Sequence, residues 1–270
     1  MLKDITFGQY YSAKSPIHRM EPRVKIVLLI LLIVFLFISK NFYGLLLSAV
    51  FVFAVLILSK VPMKLFFKNL KAILPILIFT ALINVFYDDG NAHELFSIWK
   101  LTVTDAGLYR AAFMASRIIL LIFISSVLTY TTTPNDLTDA LEKLLSPLRF
   151  LGLKSAVHSL AMMMTIALRF IPTLIEEAEK IMNAQKARGA DFETGSLKER
   201  AKALIPILIP LLISSVRRAY ELAEAMECRC YNGGEGKTRM KQLKTSVVDY
   251  VSFAVTVVYC VGIILINTLL

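Results

Sequence analysis

Between Val27 and Phe37 every residue is aliphatic or aromatic (VLLILLIVFLF), and stretches of this kind recur along the chain. An amphipathic helix gathers its apolar residues on a stripe, and a half-buried strand alternates them; this run does neither. It reads as a segment surrounded on all sides by lipid or protein. A spanning helix needs about 20 mostly apolar residues, with about 17 as a practical lower limit. Five windows compete for that description: Val24 to Ser39, Asn41 to Ser59, Leu70 to Tyr87, Ala106 to Tyr130 and Val247 to Leu269. The first has only 16 residues, but Lys25 and Lys40 can snorkel from its ends. Lipid offers the backbone no hydrogen-bond partner, so the windows must be helices unless they alternate like barrel strands. The expected fold is all-α and polytopic. The apolar share of 57% agrees, since soluble domains usually hold about 45–50%. No small-residue cleavage site precedes the first window, so it is expected to stay in the protein.

Charge then sets the expected orientation. The chain carries 30 Lys and Arg against 20 Asp and Glu, a net +10. Lys3, Lys14, Arg19 and Arg23 precede the first window, and Lys60, Lys64 and Lys68 fall between the second and third. The stretch from Asp88 to Asp105 instead holds Asp88, Asp89, Glu94 and Asp105 against Lys100 alone. Basic loops are retained in the cytoplasm, which places the N-terminus there. Thr131 to Ser246 has 17 Lys and Arg in 116 residues and is expected on the same side. The resulting organisation is a four-span region over 1–130, a cytoplasmic region over 131–246 and a last span over 247–270.

Two apolar stretches interrupt that basic region. Ser155 to Ile175 contains His158, Arg169 and Pro172, and Ala203 to Val216 is broken by Pro206 and Pro210. As a pair of spans they would export the charged hairpin between them, so they read as helices buried in protein or lying at the interface. Thr133-Pro134-Asn135-Asp136 marks the start of an amphipathic helix to Leu145. Ser146-Pro147 and Gly152 punctuate it. Long helices are then expected from about Ser155 to Arg188 and from about Ser196 to Arg229, with bends at Pro172, Pro206 and Pro210. About five transmembrane helices plus long, proline-bent cytoplasmic helices is the architecture that follows.

The ends of these two long helices are alike. Ala187-Arg188-Gly189 and Cys228-Arg229-Cys230 stand 41 residues apart, each after an acidic, alanine-rich helix. A basic last turn is common, because cations suit the negative end of a helix dipole. The small residues flanking each arginine add a second reading: a protruding guanidinium that enters a partner's groove and meets a carboxylate there.

With these residues in view, the chain resembles the transmembrane T component of energy-coupling factor (ECF) transporters. The resemblance covers nearly the whole length. It rests on Gly8-Gln9-Tyr10, on Ser15-Pro16-Ile17-His18-Arg19-Met20-Glu21-Pro22-Arg23-Val24-Lys25, on Thr131 to Leu137 with Leu144 to Leu148, on Leu168 to Pro172, and on Ala187-Arg188-Gly189. The resemblance implies a coupling subunit in a prokaryotic cell membrane, with two ABC-type ATPases and a substrate-binding S component as partners. It implies that Arg188 and Arg229 dock the ATPases, one each, with Ala187, Gly189, Cys228 and Cys230 flanking them. It also implies uptake of vitamins or transition-metal ions, the start of the chain favouring vitamins. Cys230 departs from the pattern, standing where glycine is usual.

Other chemistries find little support. Gly236-Lys237-Thr238 ends like a phosphate-binding loop, but Tyr231 occupies the position of that motif's first glycine. Cys228 and Cys230 lack further ligands nearby, and His18, His93 and His158 are scattered singly, so no metal site and no cofactor is expected. An enzyme would need a catalytic pair that Arg110 and Arg117 do not supply. Arg117, deep in the fourth window, needs protein or water around it. The basic residues track the topology rather than a nucleic-acid surface, and Lys60 to Lys71, interleaved with Met63, Phe66 and Phe67, suits contact with anionic lipid in the bilayer. A permease of an ordinary binding-protein-dependent ABC importer and a secondary carrier remain as alternatives. The first would leave the second arginine end unexplained, and the second should show repeat symmetry within the membrane.

Overall fold

A computed structural model describes residues 10–86, 94–98, 101–147, 154–190, 192, 196–232 and 245–269. Gly8-Gln9, most of the acidic stretch after Phe86, Gly152 and Gly236-Lys237-Thr238 lie outside the described residues. In chain order the elements are α1 (Pro16–Arg19), α2 (Pro22–Ile38), α3 (Phe42–Ser59), α4 (Met63–Phe86), β1 (Glu94–Ile98), β2 (Leu101–Thr104), α5 (Asp105–Thr131), α6 (Pro134–Leu144), α7 (Lys154–Ala187), α8 (Leu197–Cys228) and α9 (Val247–Leu269). The all-α reading holds, and the molecule is a polytopic membrane protein. The antiparallel pair β1–β2, with Phe96 opposite Val103 and Ile98 opposite Leu101, is an addition that the loop's charge pattern does not signal.

Six of the described helices are long and apolar enough to cross a membrane: α3, α4, α5, α7, α8 and α9. This set differs from the five sequence windows in two ways. Helix α2 has 17 residues, so its rise of about 26 Å falls short of a hydrocarbon core of about 30 Å without its flanks. Helices α7 and α8 enclose the two proline-containing stretches and pass on length and composition. Helix α4 begins at Met63, ahead of the window at Leu70, so the lysine-rich segment is its first turns.

The chain divides into two compact units, one within Gly8–Thr133 and Gln242–Leu270, the other within Pro134–Lys241. In the first, α5 packs against α2, α3 and α4, while α9 packs on α2 and α3. Leu36, Val52, Leu56, Phe66, Phe123 and Ile263 are buried at its centre. The Phe66 ring meets Phe123 and Tyr130 edge-on, at centroid distances of 6.2 and 5.3 Å. In lipid the hydrophobic effect no longer drives helices together, so such packing and internal polar ties carry the association. The turn between α2 and α3 is tied by side chains of two other helices. Arg117 Nη2 on α5 donates to the Ser39 carbonyl at 2.5 Å, and Asn267 Nδ2 on α9 donates to the Ile38 carbonyl at 2.9 Å. Arg117 also lies 4.7 Å from the Phe113 ring centroid and is only 8% exposed. The intramembrane arginine thus neutralises the carbonyl end of α2.

The second unit is α6, α7 and α8, with α7 in contact with both neighbours. Its helices start and stop where local chemistry directs. Ser196 and Glu199 form a reciprocal capping box, Glu199 N donating to Ser196 Oγ at 3.4 Å and Ser196 N to Glu199 Oε2 at 2.9 Å. Pro172, Pro206 and Pro210 sit inside helices that continue through them. Each proline removes one backbone hydrogen bond and so marks a place where bending is easy.

Candidate functional site

The two arginine ends close in the same way, hydrogen bond for hydrogen bond. After α7, Gly189 N donates to the Lys186 carbonyl and Ala190 N to the Gln185 carbonyl, both at 3.0 Å. After α8, Cys230 N donates to the Glu227 carbonyl at 2.8 Å and Tyr231 N to the Met226 carbonyl at 3.0 Å. Both are the paired arrangement that ends helices through a left-handed residue. That residue is Gly189 at φ +87° in one and Cys230 at φ +55° in the other. Cys230 therefore adopts the conformation of the glycine it replaces, at a cost of about 1–2 kcal/mol for an L residue. Arg188 and Arg229 are the residues immediately before these turns, and both are exposed, as are Ala187, Gly189, Cys228 and Cys230. A guanidinium placed there projects from the carbonyl end of a long helix with only small side chains beside it.

The helices behind these ends are joined by a polar contact. Arg218 Nη2 on α8 donates to Glu177 Oε2 on α7 at 2.6 Å, and Ser214 Oγ donates to the other carboxylate oxygen. Glu177 precedes Arg188 by eleven residues, and Arg218 precedes Arg229 by eleven. The contact thus joins equivalent positions of the 41-residue repeat. About 16 Å of helix separates it from each arginine end. An apolar groove of about 370 Å³ runs beside it, lined by Ile166, Phe170 and Leu174 of α7 and by Leu222, Ala223 and Met226 of α8. Near the start of α7, His158 Nδ1 lies 3.3 Å from Glu142 Oε1 of α6.

The N-terminal motif has a structural task in the first unit. His18 Nε2 donates to the Tyr11 carbonyl at 2.8 Å, and Ser15 Oγ lies 2.7 Å from its Nδ1. Burial holds the His18 imidazole below its ordinary pKa, against the Tyr11 carbonyl, which favours the charged form. Tyr11 N in turn donates to the Tyr130 carbonyl near the end of α5. Lys25 does not snorkel: it is buried, and Nζ donates to the Thr131 carbonyl at 2.8 Å. One residue not singled out in the sequence, Asp249, completes this end of the unit. Asp249 Oδ1 accepts from Glu21 N at 2.8 Å while its Oδ2 accepts from Ser246 N at 2.7 Å, so one buried carboxylate caps α9 and fixes the entry to α2. The only sequence signal was a carboxylate at the edge of an apolar window.

Among the described residues no group of three or more His, Cys, Asp or Glu could hold a metal ion. A family model described as a cobalt transport protein, CbiQ, matches residues 13–240. The energy-coupling factor transporter transmembrane protein EcfT of Clostridium kluyveri is 52% identical and aligns over 98% of this chain and 97% of its own. The proteins of the same name from Ruminiclostridium cellulolyticum and Bacillus subtilis are 48% and 43% identical, over 98% and 90% of this chain and 98% and 91% of theirs.

Proposed function

The chain belongs to the CbiQ family of transport proteins, as a transmembrane component of energy-coupling factor transporters, and on that premise we propose that it couples two ABC-type ATPases to a separate substrate-binding S component. Arg188 and Arg229 each dock one ATPase, with Ala187, Gly189, Cys228 and Cys230 leaving room for the partner's groove. The observation that carries this reading is the matched pair of ends, equally distant from the Glu177–Arg218 contact. Two equivalent ends suit a pair of like partners better than a single docking loop does. Helices resist compression along their axes, so movement imposed at either arginine reaches the Glu177–Arg218 contact, with Pro172, Pro206 and Pro210 as the points of bending. The chain itself is not catalytic.

In this reading α7 and α8 lie on the cytoplasmic side with the N-terminus, because the basic residues of 131–246 are retained there. The cargo is a vitamin recognised by the S component, so the substrate pocket belongs to another chain. Reconstitution in liposomes with the two ATPases tests the assignment. Uptake should appear only when an S component is added and should change substrate when that subunit is exchanged. Micromolar binding or uptake of a vitamin by this chain alone would overturn it. In sealed inside-out vesicles a cysteine introduced at Thr194 should react with an impermeant thiol reagent, and one at Asn91 should not; the reverse pattern would invert the orientation.

A further inference from the structure

We propose that the exposed face of α4 is a binding site for an anionic phospholipid, with Lys64, Lys68 and Lys71 taking the headgroup and the apolar residues beyond them taking the acyl chains. The site rests on α4 itself and does not depend on how the ATPases dock. Lys64, Lys68 and Lys71 are spaced four and three residues apart, so they fall within about 60° of one another around the helix. All three are exposed, and none makes an ion pair or side-chain hydrogen bond to another described residue. Exposed Lys60, just before the helix, adds a fourth charge, held by a left-handed backbone at φ +55°. No carboxylate lies near these cations along the chain, since no Asp or Glu occurs between Glu21 and Asp88.

The same face continues as an apolar rail. Leu74, Ile78 and Leu82 are 43%, 48% and 49% exposed, and Phe79 beside them is 63% exposed. The cations occupy about 10 Å of helix rise and the apolar residues about the next 12 Å, the order of headgroup and hydrocarbon in one leaflet. On the opposite side the first turns of α4 are packed against α5. Phe66 is buried, Asn69 Nδ2 donates to Ser126 Oγ at 3.1 Å, and the Tyr130 hydroxyl donates to the Leu65 carbonyl at 3.2 Å. The lysine stripe is therefore held at a fixed height by the docking of α4 on α5. Phe67, 56% exposed beside the stripe, supplies an aromatic ring at the level where such rings favour the interface. Charge complementarity identifies the occupant: three or four ammonium groups above an apolar rail match a phosphate diester above its chains, and a zwitterionic headgroup brings its own cation into the same place.

The test is native mass spectrometry of the full chain taken from nanodiscs containing phosphatidylglycerol and phosphatidylcholine in equal amounts. Wild type should retain phosphatidylglycerol preferentially. K64Q/K68Q/K71Q should lose that preference by about fivefold for each lysine removed, and K64R/K68R/K71R should keep it. Removing equal charge elsewhere, as K180Q/K198Q/K202Q, should leave retention unchanged. Equal retention in the glutamine variant, or an equal loss in the remote variant, would overturn the site. So would a glutamine variant that keeps its lipid but no longer co-purifies with an S component, since α4 would then be a protein-docking face.

Discussion

Helices α5 and α8 are similar in length, 27 and 32 residues, and both are apolar enough to cross a membrane. Yet 44% of the apolar window of α5 is buried within the chain, against 6% for α8. In the first unit α5 is enclosed by α2, α3 and α4, although the apolar window of α4 is itself only 6% buried. In the second unit the windows of α7 and α8 are both 6% buried. Leu208, Ile209, Leu212 and Ile213 of α8 are between 55% and 65% exposed, a row that lipid or another protein has to cover. What holds α7 to α8 is instead a small polar contact, Glu177 with Arg218 and Ser214, beside an open groove. The contrast separates a helix enclosed within its own unit from a pair whose apolar faces are left for lipid or partners to cover.

The largest effect expected from this contrast is at Phe66. Phe66→Ala should cost about 3–5 kcal/mol, because it empties a fully enclosed site between Phe123 and Tyr130. Leu212→Ala, also a large apolar truncation, should change the stability of the isolated chain by less than about 0.5 kcal/mol. Unfolding in mixed micelles measures both, and equal costs would break the distinction between the units. A smaller loss, about 1–3 kcal/mol, is expected for Asp249→Ala, which removes the cap of α9 and leaves the buried Glu21 N–H without its acceptor. The same change on an exposed cap of the second unit, Ser196→Ala, should cost about 1 kcal/mol or less.

The two arginine ends allow a finer comparison. Cys230→Gly should stabilise its turn by about 1 kcal/mol, and Gly189→Ala should destabilise its own by a similar amount, because both positions have positive φ. Amide hydrogen exchange over the last turn of each helix would report both, and no change at either end would mean that the turns are not the matched structures described above.

Much of this was legible from residue patterns. The spans show as unbroken apolar runs, and the end of α7 is announced by Gly189. The start of α8 is announced by Ser196 with Glu199 three residues on. What was not legible depends on distant residues meeting. Lys25 looked free to reach the interface, yet the Thr131 carbonyl lies within its reach once α2 packs on α5. Asp249 and Glu21 are 228 residues apart, and neither spacing nor periodicity connects them. The Glu177–Arg218 contact was hidden differently: both residues sit in the visible 41-residue repeat, but a repeat does not reveal that its two copies face each other. Cys230 breaks the repeated Ala-Arg-Gly pattern in sequence and restores it in backbone conformation.

The central claim is that each arginine end holds one ATPase, and stoichiometry tests it most directly. Co-expressed with two ATPases and analysed by native mass spectrometry, the wild-type chain should carry both. Arg188→Glu and Arg229→Glu should each carry one, since reversing a docked charge costs roughly 3–5 kcal/mol. The double variant, with its helix content unchanged by circular dichroism, should carry neither. A double variant that still retains both ATPases at wild-type levels would contradict the account.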